Sequence, residues 1–320
     1  MNRGVIAASC VGALLALLLT PWLGPERLDT AALLRGDAAE WNLFLELRVS
    51  RTLLALLAGG SLAAAGTVFQ ALLRNSLATP YTLGVSSGAA LGAVLAICFR
   101  LPSVTLCALA GGIAVLLLVL RLTGRGAPFS AHALILAGVS VTSVCGALIT
   151  ILHSYAGFSQ SFSITSWLIG GIDAVPFSTL AWFASAVIPV WLLLAWHAPA
   201  WNLLSFGETW AEARGLPVKR FSILDYIAGS WLAALTVSFT GPIGFIGLLV
   251  PHFVREAGGP DHRTLIPSST LFGAAFLALC DALGRTILSP ADVPAGVVTA
   301  IIGGPGLVWI LSREQKGGAS

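Results

Sequence analysis

The chain has 320 residues, 57% hydrophobic and 10% charged, with a formal net charge of +3 and a mean hydropathy of +0.90. A soluble domain usually carries about 25% charged residues, so these charges are too few to cover a water-facing surface, and a bilayer is the solvent that accepts the rest. The charges fall in short clusters, not in a basic stripe with interleaved aromatics, which gives nucleic-acid binding no support.

Apolar runs predict ten helices in chain order, at 5–23, 52–73, 81–99, 104–122, 133–152, 178–196, 221–240, 243–255, 264–288 and 293–311. Most are near the roughly 20 residues that a crossing helix needs. The first follows Arg3 and has the look of a signal peptide, with Ala7-Ala8-Ser9-Cys10 faintly like a lipoprotein box. Its apolar run continues past Cys10, so it reads as an uncleaved helix.

The second helix begins beside Arg48 and Arg51, three residues apart and therefore on one helical face. Their planar guanidinium groups suit carboxylates; headgroup snorkelling, or pairing with Glu46, is the plainer role. Within that helix Ala55, Gly59, Ala63 and Thr67 recur every four residues. Small residues on one face let backbones approach closely, the usual basis of helix association in lipid.

Helix five repeats the pattern with Gly138, Thr142, Gly146 and Thr150. Ordinary packing explains it; a subunit seam or pathway lining, with the Thr142 and Ser143 hydroxyls facing an aqueous cavity, is the sharper reading. The following stretch, 153–165, includes Ser159, Gln160, Ser161, Phe162 and Ser163, polar but uncharged.

The segment 202–217 between helices six and seven is amphipathic. Glu208 and Glu212 precede Arg214, and Gly215 and Pro217 end the helical pattern. A helix outside the membrane must pack on something: lipid surface, another part of the chain, or a docked soluble protein. Gly241-Pro242 then suggests a tight turn, and the eighth helix is too short to cross fully unless it is tilted or starts inside the protein. In helix nine, Asp281 and Arg285 stand four apart, the spacing of an intrahelical pair.

Lysines and arginines set orientation. With the N-terminus in the cytoplasm, Arg3, Arg74, Arg121, Arg125, Arg214, Lys219, Arg220, Arg255, Arg263, Arg313 and Lys316 fall inside, and Arg27, Arg35, Arg48, Arg51, Arg100 and Arg285 outside. Eleven against six favours both termini inside.

Five cysteines without a CxxC pair read as packing residues. His252 and His262 lack a third ligand at metal-site spacing. No GxxxxGK[ST] loop is present and the only lysines are Lys219 and Lys316, so P-loop ATP binding is not expected of this chain. A secondary transporter should place ionisable groups in mid-membrane, whereas Asp225 lies near an inside helix end and Asp281 has a candidate partner; an intramembrane enzyme needs a cluster that the scattered histidines do not form.

The stretch 237–252, Val-Ser-Phe-Thr-Gly-Pro-Ile-Gly-Phe-Ile-Gly-Leu-Leu-Val-Pro-His, together with Gly259-Pro260-Asp261-His262-Arg263, resembles the signature of the FecCD family. The likeness extends through Leu47–Arg51, Gln70–Asn75, Leu83–Ala89, then Asp281, Arg285, Pro294, Gly296, Val297 and Ile302–Pro305. Ser76 and Thr79 depart from it, and Asp292 stands where Glu is commoner.

That resemblance implies an all-α, polytopic inner-membrane permease of the type II ABC importer fold, with residues 1–320 as one transmembrane domain and about ten crossing helices. The implied partners are a second permease chain, two ABC ATPase subunits that carry ATP and Mg, and an extracytoplasmic binding protein; this chain itself holds no cofactor or metal. The implied cargo is an iron–siderophore complex first, haem or cobalamin otherwise. ATPase coupling falls to Leu203, Ser205, Gly207, Glu208, Ala211, Arg214, Gly215 and Leu216. Docking of the binding protein falls to Arg48, Arg51 and Arg285. The pathway or gate is expected at Gly138, Thr142, Ser143, Gly146, Ser161 and Ser163.

Overall fold

A computed structural model describes residues 2–24, 29–123, 131–287, 289 and 291–317. Arg27, Arg125 and Leu288 lie outside the described residues, as do the side chains of Arg313 and Lys316. The described residues form helices and loops, with no strand among them.

In chain order the helices are α1 (Arg3–Leu19), α2 (Thr30–Leu34), α3 (Ala38–Asn42), α4 (Ser50–Leu73), α5 (Val85–Phe99), α6 (Val104–Thr123), α7 (Ala131–Tyr155), α8 (Phe158–Ile169), α9 (Phe177–Leu204), α10 (Glu208–Ala213), α11 (Val218–Thr240), α12 (Ile246–Gly258), α13 (His262–Ile287) and α14 (Ala295–Gly317). A π-helical stretch, Leu43–Val49, joins α3 to α4 without a break. Seven stretches are long and apolar enough to cross a bilayer: Arg3–Trp22, Ala38–Leu73, α6, α7, α9, α11 and α13. The apolar helices α5 and Ala295–Ile310 are shorter, and α12, at 13 residues, is about 20 Å long at 1.5 Å per residue.

The centre of the molecule is α4 packed along α13, with α11 and α12 against the same helix. The predicted stripe on α4 makes this possible. Gly59 touches the backbone of Gly273, where a methyl group would run into the carbonyl, and Gly66 meets the backbone of Gly247 in the same way. Backbone contact this close is the small-residue mode of packing in lipid.

Helices α6, α7 and α9 are mostly exposed, in keeping with an apolar solvent on their outer faces. Two ends can be distinguished. At one end α10 stands beside the C-terminus of α4, where Arg74 meets Glu208. At the other, Arg51 of α4 meets Asp281 of α13.

The short connections dip between helices. Tyr81, ahead of α5, donates its hydroxyl to the carbonyl of Ile243, ahead of α12. Gly296 at the start of α14 donates its N–H to the carbonyl of Gly170 at 3.1 Å. Irregular backbone at this depth is tolerated because it is enclosed by protein and its polar groups find partners.

Candidate functional site

At the arginine end, two of the three predicted arginines converge with two carboxylates. Arg51 reaches Asp281 with Nη2 at 2.9 Å and Nε at 3.1 Å, and reaches Asp292 with Nη1 at 2.8 Å. Arg285 Nε lies 3.0 Å from the other oxygen of Asp281, one helical turn away on α13. The side chain of Asp281 is thus held by two cations, as a carboxylate within a membrane bundle must be. Arg285 also donates from Nη1 to the carbonyl of Leu23 at 3.0 Å.

Arg48 and Arg51 do not act as a pair on one face. Arg48 belongs to the π-helical stretch, where the turn is wider, and its guanidinium lies over Gly24. Arg48 and Arg285 are 6% and 4% exposed, while the Arg51 side chain keeps 16%. Of the three, Arg51 is the one open to an incoming group. With the half-exposed Asp292 it lines a cavity of about 600 Å³, beside Ser163, Asp173 and Thr240.

The expected gate residues divide between two surfaces. Gly138 packs on the backbone of Thr82 and Leu83, and the Thr142 hydroxyl accepts a bond from Ser87 at 3.4 Å, so this half of α7 is bound to the start of α5. Ser143 and Gly146 face outward, with Val139, Val144 and Ile151 forming an apolar exposed face. The polar stretch after α7 is itself helical. In α8, Ser161 is half-buried and Ser163 exposed, and Gln160 ties the helix start to α5 through the carbonyl of Cys98 at 3.0 Å.

At the α10 end, the amphipathic segment splits. Helix α9 runs on to Leu204, so Leu203 is its penultimate residue, and Ser205, Phe206 and Gly207 link it to α10. Ala211 is fully buried and anchors α10; Leu216 is half-buried. Ser205, Glu208, Arg214 and Gly215 are exposed. Gly207 takes φ 117° at the turn into α10, a backbone region that a side chain would strain.

Two aromatic residues outside the predicted set dominate this surface. Phe206 is 74% and Trp210 50% exposed, their rings 5.7 Å apart. Arg214 stacks over Trp210 at 4.1 Å. Large apolar rings inside a polar segment were the available signal for them. Two cavities adjoin α10: one of about 560 Å³ lined by Arg74, Phe206, Gly207, Arg255 and His262, and one of about 620 Å³ lined by Arg74, Glu208, Glu212, Lys219 and His132.

The surrounding loops are tied down. Asn202 donates to Asp261 at 2.6 Å and accepts from the backbone N–H of His262 at 2.8 Å. Burial acts against the charge of Asp261, yet the Asn202 amide, and then the Arg263 backbone N–H, help hold its carboxyl below the ordinary range.

Known proteins place this geometry. The model of the FecCD transport family matches residues 6–313. The vitamin B12 import system permease protein BtuC of Salmonella arizonae is 38% identical over 313 residues, covering 95% of this chain and 92% of that one. The protein of the same name from Citrobacter koseri is 38% identical over 324 residues, covering 99% and 92%. Among solved structures, a metal-chelate type ABC transporter in an inward-facing conformation aligns with a TM-score of 0.86 at 28% identity, over 98% of this chain and 99% of that one. PsaBC from Streptococcus pneumoniae, solved with a Fab, aligns at a TM-score of 0.59 and 20% identity over 88% and 95%, a likeness of fold alone.

Proposed function

This chain belongs to the FecCD transport family, and we propose that within an ABC importer it forms the membrane pathway for cobalamin, a bulky metal chelate. It is a permease subunit and a multi-pass membrane protein. The sequence pointed first to an iron–siderophore; relatives 38% identical over nearly the whole chain are named as B12 permeases, and this is the observation that brings cobalamin forward. An iron–siderophore is the second reading, favoured by the metal-chelate type transporter that shares the fold.

The exposed face of α7, with Ser143 and Gly146 among apolar residues, supports a seam with a second permease chain, and Ser161 and Ser163 of α8 support a neutral gate beside it. The absence of charge on these gate residues suits a large chelate that must leave as readily as it enters. The outer cavity, with Arg51 at its edge, is where carboxylates of an extracytoplasmic binding protein would dock. With Arg48 and Arg285 buried, such a partner meets Arg51 first.

The α10 surface, from Ser205 to Leu216 and including Phe206 and Trp210, takes the ATPase subunits, which supply ATP and Mg. This orientation puts both termini in the cytoplasm and the arginine end outside an inner membrane. Residues 1–320 act as one transmembrane domain, with no nucleotide site of their own.

Uptake into proteoliposomes holding the permease, its ATPase and its binding protein tests the cargo. ATP-dependent accumulation of radiolabelled cobalamin, with none of a ferric hydroxamate, is the expected result. Accumulation of the ferric chelate alone selects the second reading.

A further inference from the structure

One buried histidine–aspartate pair inside the bundle has no part in the docking surfaces or the gate. Asp225 of α11 is fully buried, and its Oδ1 lies 2.7 Å from Nδ1 of His197 on α9, the ring N–H donating. The buried indole of Trp201 lies one turn along α9, and Asp225 Oδ2 makes no hydrogen bond in this structure. Phe221, one turn before Asp225, stacks on both rings, 4.7 Å from His197 and 5.2 Å from Trp201. Ionisable groups in such surroundings are costly, and they mark function more often than packing.

Position gives the pair its meaning. His197 lies seven residues before the end of α9 at Leu204, and Asp225 seven residues after the start of α11 at Val218. Both therefore stand two turns, about 10 Å, above the ends that carry α10. The two helices differ in setting: α11 is largely buried in the central bundle, while α9 is peripheral and mostly exposed. Higher up, α9 is held by Trp191 Nε1 on the Ser61 hydroxyl at 3.2 Å, and by Trp231 Nε1 on the Ala186 carbonyl at 3.1 Å. Between α9 and α11, His197–Asp225 is the polar tie nearest α10 among the described residues.

We infer that the His197–Asp225 pair is a register pin that makes α9 and α11 move as one unit when α10 is displaced, so that motion of the docked ATPase reaches the central helices. The inference rests on the reading that α10 receives the ATPase. Apolar contacts are non-directional and let helices slide; a short charge-assisted hydrogen bond fixes one register. Fixing register is the best-attested use of buried polar pairs. His197 and Asp225 are positioning residues, since neither touches cargo or nucleotide.

The test is cargo accumulated per ATP hydrolysed by the full importer in proteoliposomes. His197→Leu with Asp225→Leu removes the pair while leaving apolar packing, an exchange that buried ion pairs often tolerate without loss of stability. The double variant is expected to recruit the ATPase and hydrolyse ATP normally, with transport per ATP lower by about fivefold or more, the range of a coupling free energy. Asp225→Asn keeps an acceptor for His197 and is expected to restore the ratio. A wild-type ratio in the double variant, or a ratio in Asp225→Asn as low as in the double variant, overturns the pin. Should the double variant not fold, Asp225→Ser, whose shorter side chain draws the acceptor out of reach of His197 while staying polar, must show the same fall, and an unchanged ratio there overturns it too. Recruitment assayed on Phe206→Ala with Trp210→Ala reports on the α10 reading separately.

Discussion

At the scale of single residues, Asp281 governs the arginine end. It is buried and shared by Arg51 and Arg285. Asp281→Ala takes the carboxylate from buried Arg285 and leaves Arg51 only Asp292, and breaking a buried pair from one side costs about 3–5 kcal/mol; a large drop in the melting temperature of the detergent-solubilised protein is expected. Asp292 is half-exposed, so Asp292→Asn should cost no more than about 1 kcal/mol. Equal losses in the two variants would show that the ion cluster is not organised around Asp281. The Asp281–Arg285 pair was legible from spacing alone. The link from Arg51 to Asp281 was not, because it joins residues 230 positions apart and depends on how α4 and α13 pack. The burial of Arg48 was hidden by the π-helical stretch, which rotates it away from the face that a regular helix predicts.

At the scale of elements, the long apolar helices follow from composition and the special ones do not. Helix α9 was expected to end at Trp196 but continues to Leu204 through Pro189 and Pro199. Proline within a helix removes a backbone bond, and neighbouring helices in a membrane bundle compensate for it. Helix α8 read as a polar stretch because its hydroxyls bond back along the helix, as Ser163 does to the carbonyl of Ser159 at 3.1 Å; such residues are neutral in propensity and leave little sequence signal. The short helices α2 and α3 were missed for want of periodicity. The stripe on α4 is the opposite case, since its Gly59 lies directly on Gly273. Gly59→Leu is expected to separate α4 from α13 at a cost of about 1–3 kcal/mol from overpacking, read as a lower melting temperature. Leu18→Ala, on the exposed face of α1, is the control and should stay within about 0.5 kcal/mol.

At the scale of the whole molecule, two exposed surfaces bear on the proposed assembly. The outer face of α7 carries Val139, Val144, Leu148 and Ile151 in the open, with Ser143 and Gly146 among them. Disulfide crosslinking through Ser143→Cys, in a background without the five native cysteines, should join two permease chains and stop uptake until the bond is reduced. Crosslinked permease with undiminished uptake would remove the gate from this seam. The α10 surface is the other. Its existence was readable from the amphipathic segment, whereas its exposed rings emerged only when the fold placed Ala211 inward and Phe206 and Trp210 outward.

The most direct test concerns the motor. Recruitment of the cognate ATPase to nanodisc-embedded permease can be measured with the wild-type chain and with Phe206→Ala combined with Trp210→Ala. Both changes lie on the surface, so the permease itself should keep its stability to within about 0.5 kcal/mol. Tight recruitment by the wild type and its loss in the double variant is the predicted result. An ATPase that binds both equally, or neither, contradicts the claim that this chain is a conduit driven through α10.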